Sequence, residues 1–251
     1  MKQEPEFVYP EWDAPANVRA LTTTRIGGYS KPPFDSFNFS LKSGDGVEVV
    51  RRNRMLLVDS ADLPSEPVWL RQVHGNQVID AATSAPYTEA DGSYTLRAGV
   101  VCVVLTADCC PVFLCDRQGS RVAVLHAGWR GLARGVIEEG VRRLGVPGTE
   151  LMAWLGPAIG PTAFEVGDDV CHAFSKQDVD VTSSFVKKPD GKWLADIYLL
   201  ATQYLNTVGV HDVVANNFCT VGNQDRFFSY RRDGQCGHMA SVIWLDHDAA
   251  V

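Results

Sequence analysis

Three short apolar runs follow one another with no helical segment between them: residues 100–105 (VVCVVL), 112–115 (VFLC) and 122–125 (VAVL). Their β-branched content and turn-rich borders read as strands. Strands placed back to back break the strict alternation of strand and helix that a doubly wound parallel sheet requires. Further strands are expected at 18–23, 67–70, 212–215, 227–230 and 240–245, and helices at 47–58, 132–144, 168–174 and 196–205. The second helix carries Leu132, Val136, Ile137, Gly140, Val141 and Leu144 as a one-sided stripe. The expected fold class is α+β, a mixed β core with helices packed outside it.

A chain of 251 residues can bury a sizeable core. No repeat, low-complexity tract or clean linker divides it, and the best exposed turn, Lys187 to Lys192 (KKPDGK), lies between segments of one fold. One domain over residues 1–251 is therefore expected. A formal charge of −7 argues against nonspecific binding to nucleic acid or anionic membrane and favours small-molecule partners. The opening MKQEPEFVYPEWDAP lacks the basic and apolar regions of a secretory signal, and no apolar run approaches bilayer length. A soluble, cytoplasmic protein is expected. The seven cysteines fit that reading, because four of them crowd into residues 102–115, unlike a disulfide framework. Nothing in the sequence sets an oligomeric state.

Chemistry gathers at the ends of the central strands. Thr106-Ala107-Asp108-Cys109-Cys110-Pro111 follows one strand, with Gln72-Val73-His74-Gly75 before it and His126-Ala127-Gly128-Trp129-Arg130-Gly131 after it. Pro111 cannot donate to a ladder and is expected to turn the chain beside Cys109. Gly128 and Gly131 are expected to bend the backbone before a helix starting near Leu132, whose N-terminus suits an anion. A thiolate and two imidazoles favour zinc over magnesium or calcium, and three protein ligands leave one tetrahedral position open. Two other readings stand beside this one. Cys109 could be a buried apolar thiol with His74 and His126 as hydrogen-bonded structural residues. Alternatively, Cys109 could be a nucleophile, with His126 or His74 as base and Asp108 or another acid as orienter.

Arg25, before a Gly-Gly turn, and Arg130, between Gly128 and Gly131, are candidate anion clamps, with Arg231 and Arg232 a third basic pair. Among acids, Asp91, Asp108 and Glu165 sit in turn-like or strand-edge contexts that could face a cleft, shuttle a proton or orient a ligand histidine. His172, His211, His238 and His247 lack such settings and are read as structural.

The motifs TTRIGG, QVHG, TADC, HAGWRG, LGPAIGP, FEVG and FFSYRRD closely resemble the YfiH family, long labelled polyphenol oxidase or laccase-domain proteins. The resemblance runs from about Pro10 to Leu245. It implies a single-domain YfiH-like catalytic fold and a zinc site formed by His74, Cys109 and His126. It also implies phosphorolysis of adenosine, inosine, guanosine and methylthioadenosine, with hydrolytic deamination of adenosine. Within that activity, Arg25, Arg130, Asp91 and Glu165 are the candidate substrate-binding residues, Arg25 or Arg130 taking phosphate. Cys110 stands where relatives usually carry an apolar residue, which makes it a packing residue and not a ligand.

Three alternatives accompany this reading. Some bacterial relatives are linked to peptidoglycan-precursor editing, which implies hydrolysis of a UDP-muramyl amino acid. A copper-dependent oxidation of phenols is the second, since divalent copper binds most nitrogen and sulfur sites more tightly than zinc. A laccase-type cluster, however, needs many histidines, commonly as His-x-His pairs, and this chain has six histidines and no such pair. The third is a noncatalytic binding module, which explains neither the open ligand set nor the flanking arginines.

Overall fold

A computed structural model describes residues 3–175, 179–216 and 218–247. In chain order its elements are β1 (Phe7–Val8), β2 (Val18–Thr23), α1 (Val47–Ser60), β3 (Val78–Asp80), β4 (Gly92–Thr95), β5 (Cys102–Thr106), β6 (Cys110–Asp116) and β7 (Val122–Ala127). There follow α2 (Trp129–Ala133), α3 (Val136–Leu144), β8 (Leu151–Leu155), β9 (Glu165–Val166), α4 (Asp168–Phe174), β10 (Phe185–Lys187) and β11 (Trp193–Ala195). The chain finishes through α5 (Ile197–Thr207), β12 (Asp212–Ala215), α6 (Tyr230–Asp233) and β13 (Met239–Leu245). A six-stranded mixed sheet runs β12-β8-β6-β7-β4-β3, a four-stranded antiparallel sheet β1-β2-β13-β5, and a small sheet β10-β11-β9. The fold is mixed α+β, as the back-to-back strands predict.

Side-chain alternation explains the layering. Every residue of β6, β7 and β8 is buried, because both faces of the large sheet are covered. Val112, Leu114, Ala123, Leu125, Leu151, Ala153 and Leu155 pack against the apolar stripes of α2, α3, α4 and α5. Their neighbours in sequence, Phe113, Cys115, Val122, Val124, Met152 and Trp154, face Val18, Ala20, Cys102, Val104, Ile243 and Leu245 of the four-stranded sheet. The outer face of that second sheet presents Leu21, Val103, Val242 and Trp244 to Leu57 of α1, together with Phe37 and Phe39. Helices therefore cap two packed sheets from both sides.

Four expectations need correction. The helix expected over 132–144 is two helices, because Gly135 adopts φ +84°, a left-handed value that ends one turn and starts another. The expected strand at 67–70 contributes only an isolated bridge, Val68 to Cys102. Residues 227–230 form no strand: Phe227 and Phe228 are buried core anchors and Tyr230 opens α6. Pro111 does not turn the chain; it lies inside β6 opposite His126, just before pairing with β8 begins at Val112, so its missing amide proton breaks no ladder bond on that side. The turn is made by the residues between β5 and β6. The predicted exposed turn at Lys187–Lys192 closes the β10-β11 hairpin, with Gly191 at φ +86°.

Candidate metal centre

The end of β5, the end of β7 and the loop before β3 meet at one place. Between β5 and β6 the chain reverses through Asp108, whose φ of +95° is unusual for a residue with a side chain. Three elements hold it there. Its Oδ1 accepts from Thr220 Oγ1 at 2.5 Å, its Oδ2 from the Arg231 amide at 2.6 Å, and its carbonyl from the Ile159 amide at 2.9 Å. The next residue, Cys109, is thereby directed into the space between two imidazoles.

Asp91 organises those imidazoles. It is fully buried, and its carboxylate accepts the backbone amides of Val73 at 3.2 Å, His74 at 2.9 Å and Gly75 at 2.6 Å. The same carboxylate lies 2.8 Å from Nδ1 of His126, and its backbone carbonyl accepts the His126 amide. His74 is also left-handed, at φ +58°, a strained value kept by Asp91 on its amide and by Arg134 Nη1, 3.0 Å from its carbonyl. The break at Gly135 lets the Arg134 segment make that contact, and Asn76 Nδ2 donates back to the Arg134 carbonyl at 2.7 Å.

The ligating atoms of His74, Cys109 and His126 all lie within 4.8 Å of one another. Sγ of Cys109 is 4.0 Å from Nε2 of His74, and the two rings meet edge to face with centroids 4.7 Å apart. Burial is graded: His126 is buried, Cys109 half-buried and His74 exposed, so the cluster opens to solvent on the His74 side. The space is kept by glycine. A Cβ on Gly128 would sit 2.7 Å from Cys109 Sγ and 3.4 Å from His74 Cδ2. Gly128 has an ordinary φ of −69°, so its role is room and not the sharp bend expected from sequence. The helix it precedes, α2, is only five residues long.

Electrostatics follow from the packing. Burial alone would push the Cys109 thiol up, but the charge and hydrogen bonds of His126 and His74 override it and bring it down to about 6. For His126 burial disfavours the cation, yet Cys109 and Asp91 together raise the imidazole to about 10. Asp91 is pushed up by burial and pulled further down by His126 and the loop amides, ending below the usual carboxylate range. Cys110 behaves oppositely. It is wholly buried in the core between the large sheet and the helices, and burial drives its thiol far up.

The other predicted residues separate. Asp91, expected to contact substrate or to orient a ligand histidine, is sealed from solvent and holds His126 and the His74 loop. Arg25 is largely committed: Nε donates to the Asp35 carbonyl at 2.8 Å, Nη1 to the Gln224 carbonyl at 3.1 Å, and Nη2 pairs with the Asp35 carboxylate at 3.3 Å. Arg130 is exposed, stacked 4.3 Å over Trp129, three residues after Ala127 at the end of β7. Glu165 is held by Lys188 and Lys192 of the hairpin, and none of the cluster residues is among its partners. His238, read as structural from sequence, immediately precedes β13 where that strand pairs with the end of β5; burial, and then the charges of His126 and His74, lower its imidazole to about 4. No motif signals it; only the closure of β13 against β5 brings it there.

Fold and site together define an α+β protein with an open nitrogen and sulfur ligand set braced by a buried carboxylate. Among the described residues it is the one group of three or more side chains disposed to hold a metal ion. The family described as multi-copper polyphenol oxidoreductase laccase matches residues 19–246. Over 242 residues the chain is 48% identical to purine nucleoside phosphorylase YfiH of Escherichia coli, covering 96% of this chain and 99% of that protein. A purine nucleoside phosphorylase of Pseudomonas aeruginosa is 49% identical over 240 residues, 95% of this chain and 98% of the relative. A crystal structure of a Neisseria meningitidis protein superposes with a TM-score of 0.92 at 47% identity, covering 96% and 99% of the two chains. YfiH of Bacillus licheniformis gives 0.88 at 29%, with coverage of 96% and 97%. This chain belongs to the YfiH family, within that laccase-described group.

Proposed function

We propose that this chain is a zinc-dependent purine nucleoside phosphorylase, a single catalytic unit acting on adenosine, inosine, guanosine and methylthioadenosine, with adenosine deamination as a second activity. The observation that carries the reading is the open His74, Cys109 and His126 set braced by Asp91. The names of the relatives give the substrate class. The donors suit zinc: one soft thiolate and two imidazoles, one of them tied through Nδ1 to a carboxylate in the usual outer-shell arrangement. Bound there, zinc supplies a Lewis acid at the position the protein leaves open.

The chain's own residues do the rest. Asp91 fixes the His126 ring so that Nε2 faces the cluster, and the depressed Cys109 thiol offers its anionic form near neutral pH. Arg130 is the phosphate-holding residue of this proposal, because its guanidinium is exposed and stacked, whereas Arg25 already serves Asp35 and Gln224. In phosphorolysis a phosphate oxygen bonds to the anomeric carbon as the glycosidic bond breaks towards the purine, so an arginine that orients phosphate supplies proximity. All seven cysteines are free, which supports a reducing compartment such as the cytoplasm. No helix among the described residues is long and apolar enough to cross a membrane.

One observation favours a second reading. Asp91 is hydrogen-bonded to His126, whose ring stands beside the Cys109 thiol, an order of acid, imidazole and thiol that is the layout of a cysteine nucleophile with its base and orienter. Metal analysis of the purified protein, coupled to product identification from adenosine with and without phosphate, tests both. Adenine plus ribose phosphate, abolished by chelation, supports the proposal, and inosine identifies deamination. Activity that survives chelation but not thiol alkylation supports the nucleophile. No product from any purine nucleoside overturns the proposal and turns attention to a UDP-muramyl substrate. A multicopper oxidase is disfavoured by ligand count, since six histidines without a His-x-His pair cannot build its cluster.

A further inference from the structure

His238 is the residue immediately before the first rung of β13, Met239 against Thr106, and so lies where the chain carrying Asp108 and Cys109 leaves the same ladder. Its backbone is pinned on both sides: its amide donates to Asn38 Oδ1 at 3.0 Å and its carbonyl accepts from the Phe39 amide at 3.3 Å. The residue as a whole is only partly buried, yet Nδ1 of its ring is out of solvent contact and has no hydrogen-bond partner. Nε2 is the ring nitrogen outside that buried, orphaned set.

An unpartnered buried acceptor is tolerated more readily than an unpartnered buried N–H, and a buried, unpaired N–H of an imidazolium least of all. The ring is thus neutral, with the lone pair on Nδ1 and the proton on Nε2. We propose that His238 is a nucleoside-positioning residue that donates its Nε2–H to an uncharged acceptor on the bound nucleoside, beside the His74, Cys109 and His126 cluster. The inference rests on the purine nucleoside reading above. Burial disfavours the cation of this imidazole, in keeping with a neutral donor. A neutral donor suits an uncharged ribose hydroxyl or ring nitrogen, whereas phosphate is better served by the charged fork of Arg130.

The test uses full-length, zinc-loaded protein and two variants of similar volume, His238→Gln, which keeps an N–H donor, and His238→Met, which has none. Initial rates are measured against inosine at saturating phosphate and against phosphate at saturating inosine, with thermal midpoints alongside. His238→Met is expected to raise the inosine KM by roughly tenfold, leave the phosphate KM within about twofold, and melt with His238→Gln, which recovers most of the loss. An unchanged inosine KM, a parallel rise of both KM values, a glutamine no better than methionine, or a methionine variant that alone fails to fold overturns the inference. Wild-type protein that turns over no purine nucleoside overturns the proposed function and this role with it; active wild type with an indifferent residue 238 overturns this role alone.

Discussion

Oδ1 of Asp91 is shared by the two histidines of the cluster: it lies 2.8 Å from the His126 ring nitrogen Nδ1 and 2.9 Å from the backbone amide of His74. One buried oxygen thus sets both the rotation of a ring in a strand and the backbone of a loop 52 positions earlier in sequence. Asp91→Asn keeps the volume but not the charge, and forces an amide N–H towards donors. Zinc affinity, read by competition with a chromogenic chelator, is expected to fall about 10- to 100-fold, with phosphorolysis falling in parallel. Unchanged affinity would show that the carboxylate is structural only.

Gly128 leaves the space that Cys109 occupies. In Gly128→Ala the new methyl would stand 2.7 Å from Sγ, and the sulfur must move. Metal content of the purified variant is expected to drop below stoichiometric, at a folding cost of about 1–3 kcal/mol for the overpacked contact. Gly46→Ala is the matched control, because its nearest neighbour is Val49 Cγ2 at an ordinary 3.4 Å; it should bind metal like the wild type.

The adjacent thiols should differ sharply in reactivity. In metal-free protein the Cys109 thiol, brought down to about 6 by His126 and His74 against burial, is largely thiolate at neutral pH. Alkylation mapped by mass spectrometry is expected to modify Cys109 with a rate that rises with pH around a midpoint near 6 and is flat above it. Cys110, whose thiol burial pushes up, should stay unmodified until the protein unfolds. Zinc should protect Cys109. A midpoint at an ordinary thiol value would contradict the imidazole coupling.

The two arginines expected from sequence to bind phosphate should separate by kinetics. Arg130→Ala is expected to raise the phosphate KM by roughly tenfold or more, as for loss of a charge-assisted contact, with the thermal midpoint unchanged. Arg25→Ala should mainly lower the midpoint, because it frees the Asp35 and Gln224 carbonyls. The opposite pattern would return the phosphate role to Arg25.

Much of this molecule is legible in its sequence because β5, β6 and β7 are written as dense apolar runs whose alternation fixes two buried faces. The same rule overlooks β8, where Leu151–Leu155 is just as apolar but follows a helix closely, and it misses β3 and β4, which are short and carry Gly92, Ser93 and Thr95. Gly135 hides a break because Leu132 to Leu144 keeps a helical stripe across it. His74, Cys109 and His126 are visible through the turn residues around them. Asp91 is visible as an acid that could orient a histidine, but which histidine and which loop amides it holds is not, since those partners come from 16 to 35 positions away. His238 has no local signature, because its position depends on β13 returning across the whole chain to β5.

The pairing of β6 with β7, Cys110 opposite Ala127 and Pro111 opposite His126, has a further meaning once two cysteines stand side by side. Side chains alternate between faces along a strand, so a slip of β6 by a single position would trade one thiol for the other at the cluster and send an ionisable sulfur into the oily layer under α3 and α5. The imidazoles pull the first thiol down while burial pushes the second up, and which one a reagent finds is therefore a ruler for strand alignment in the living fold.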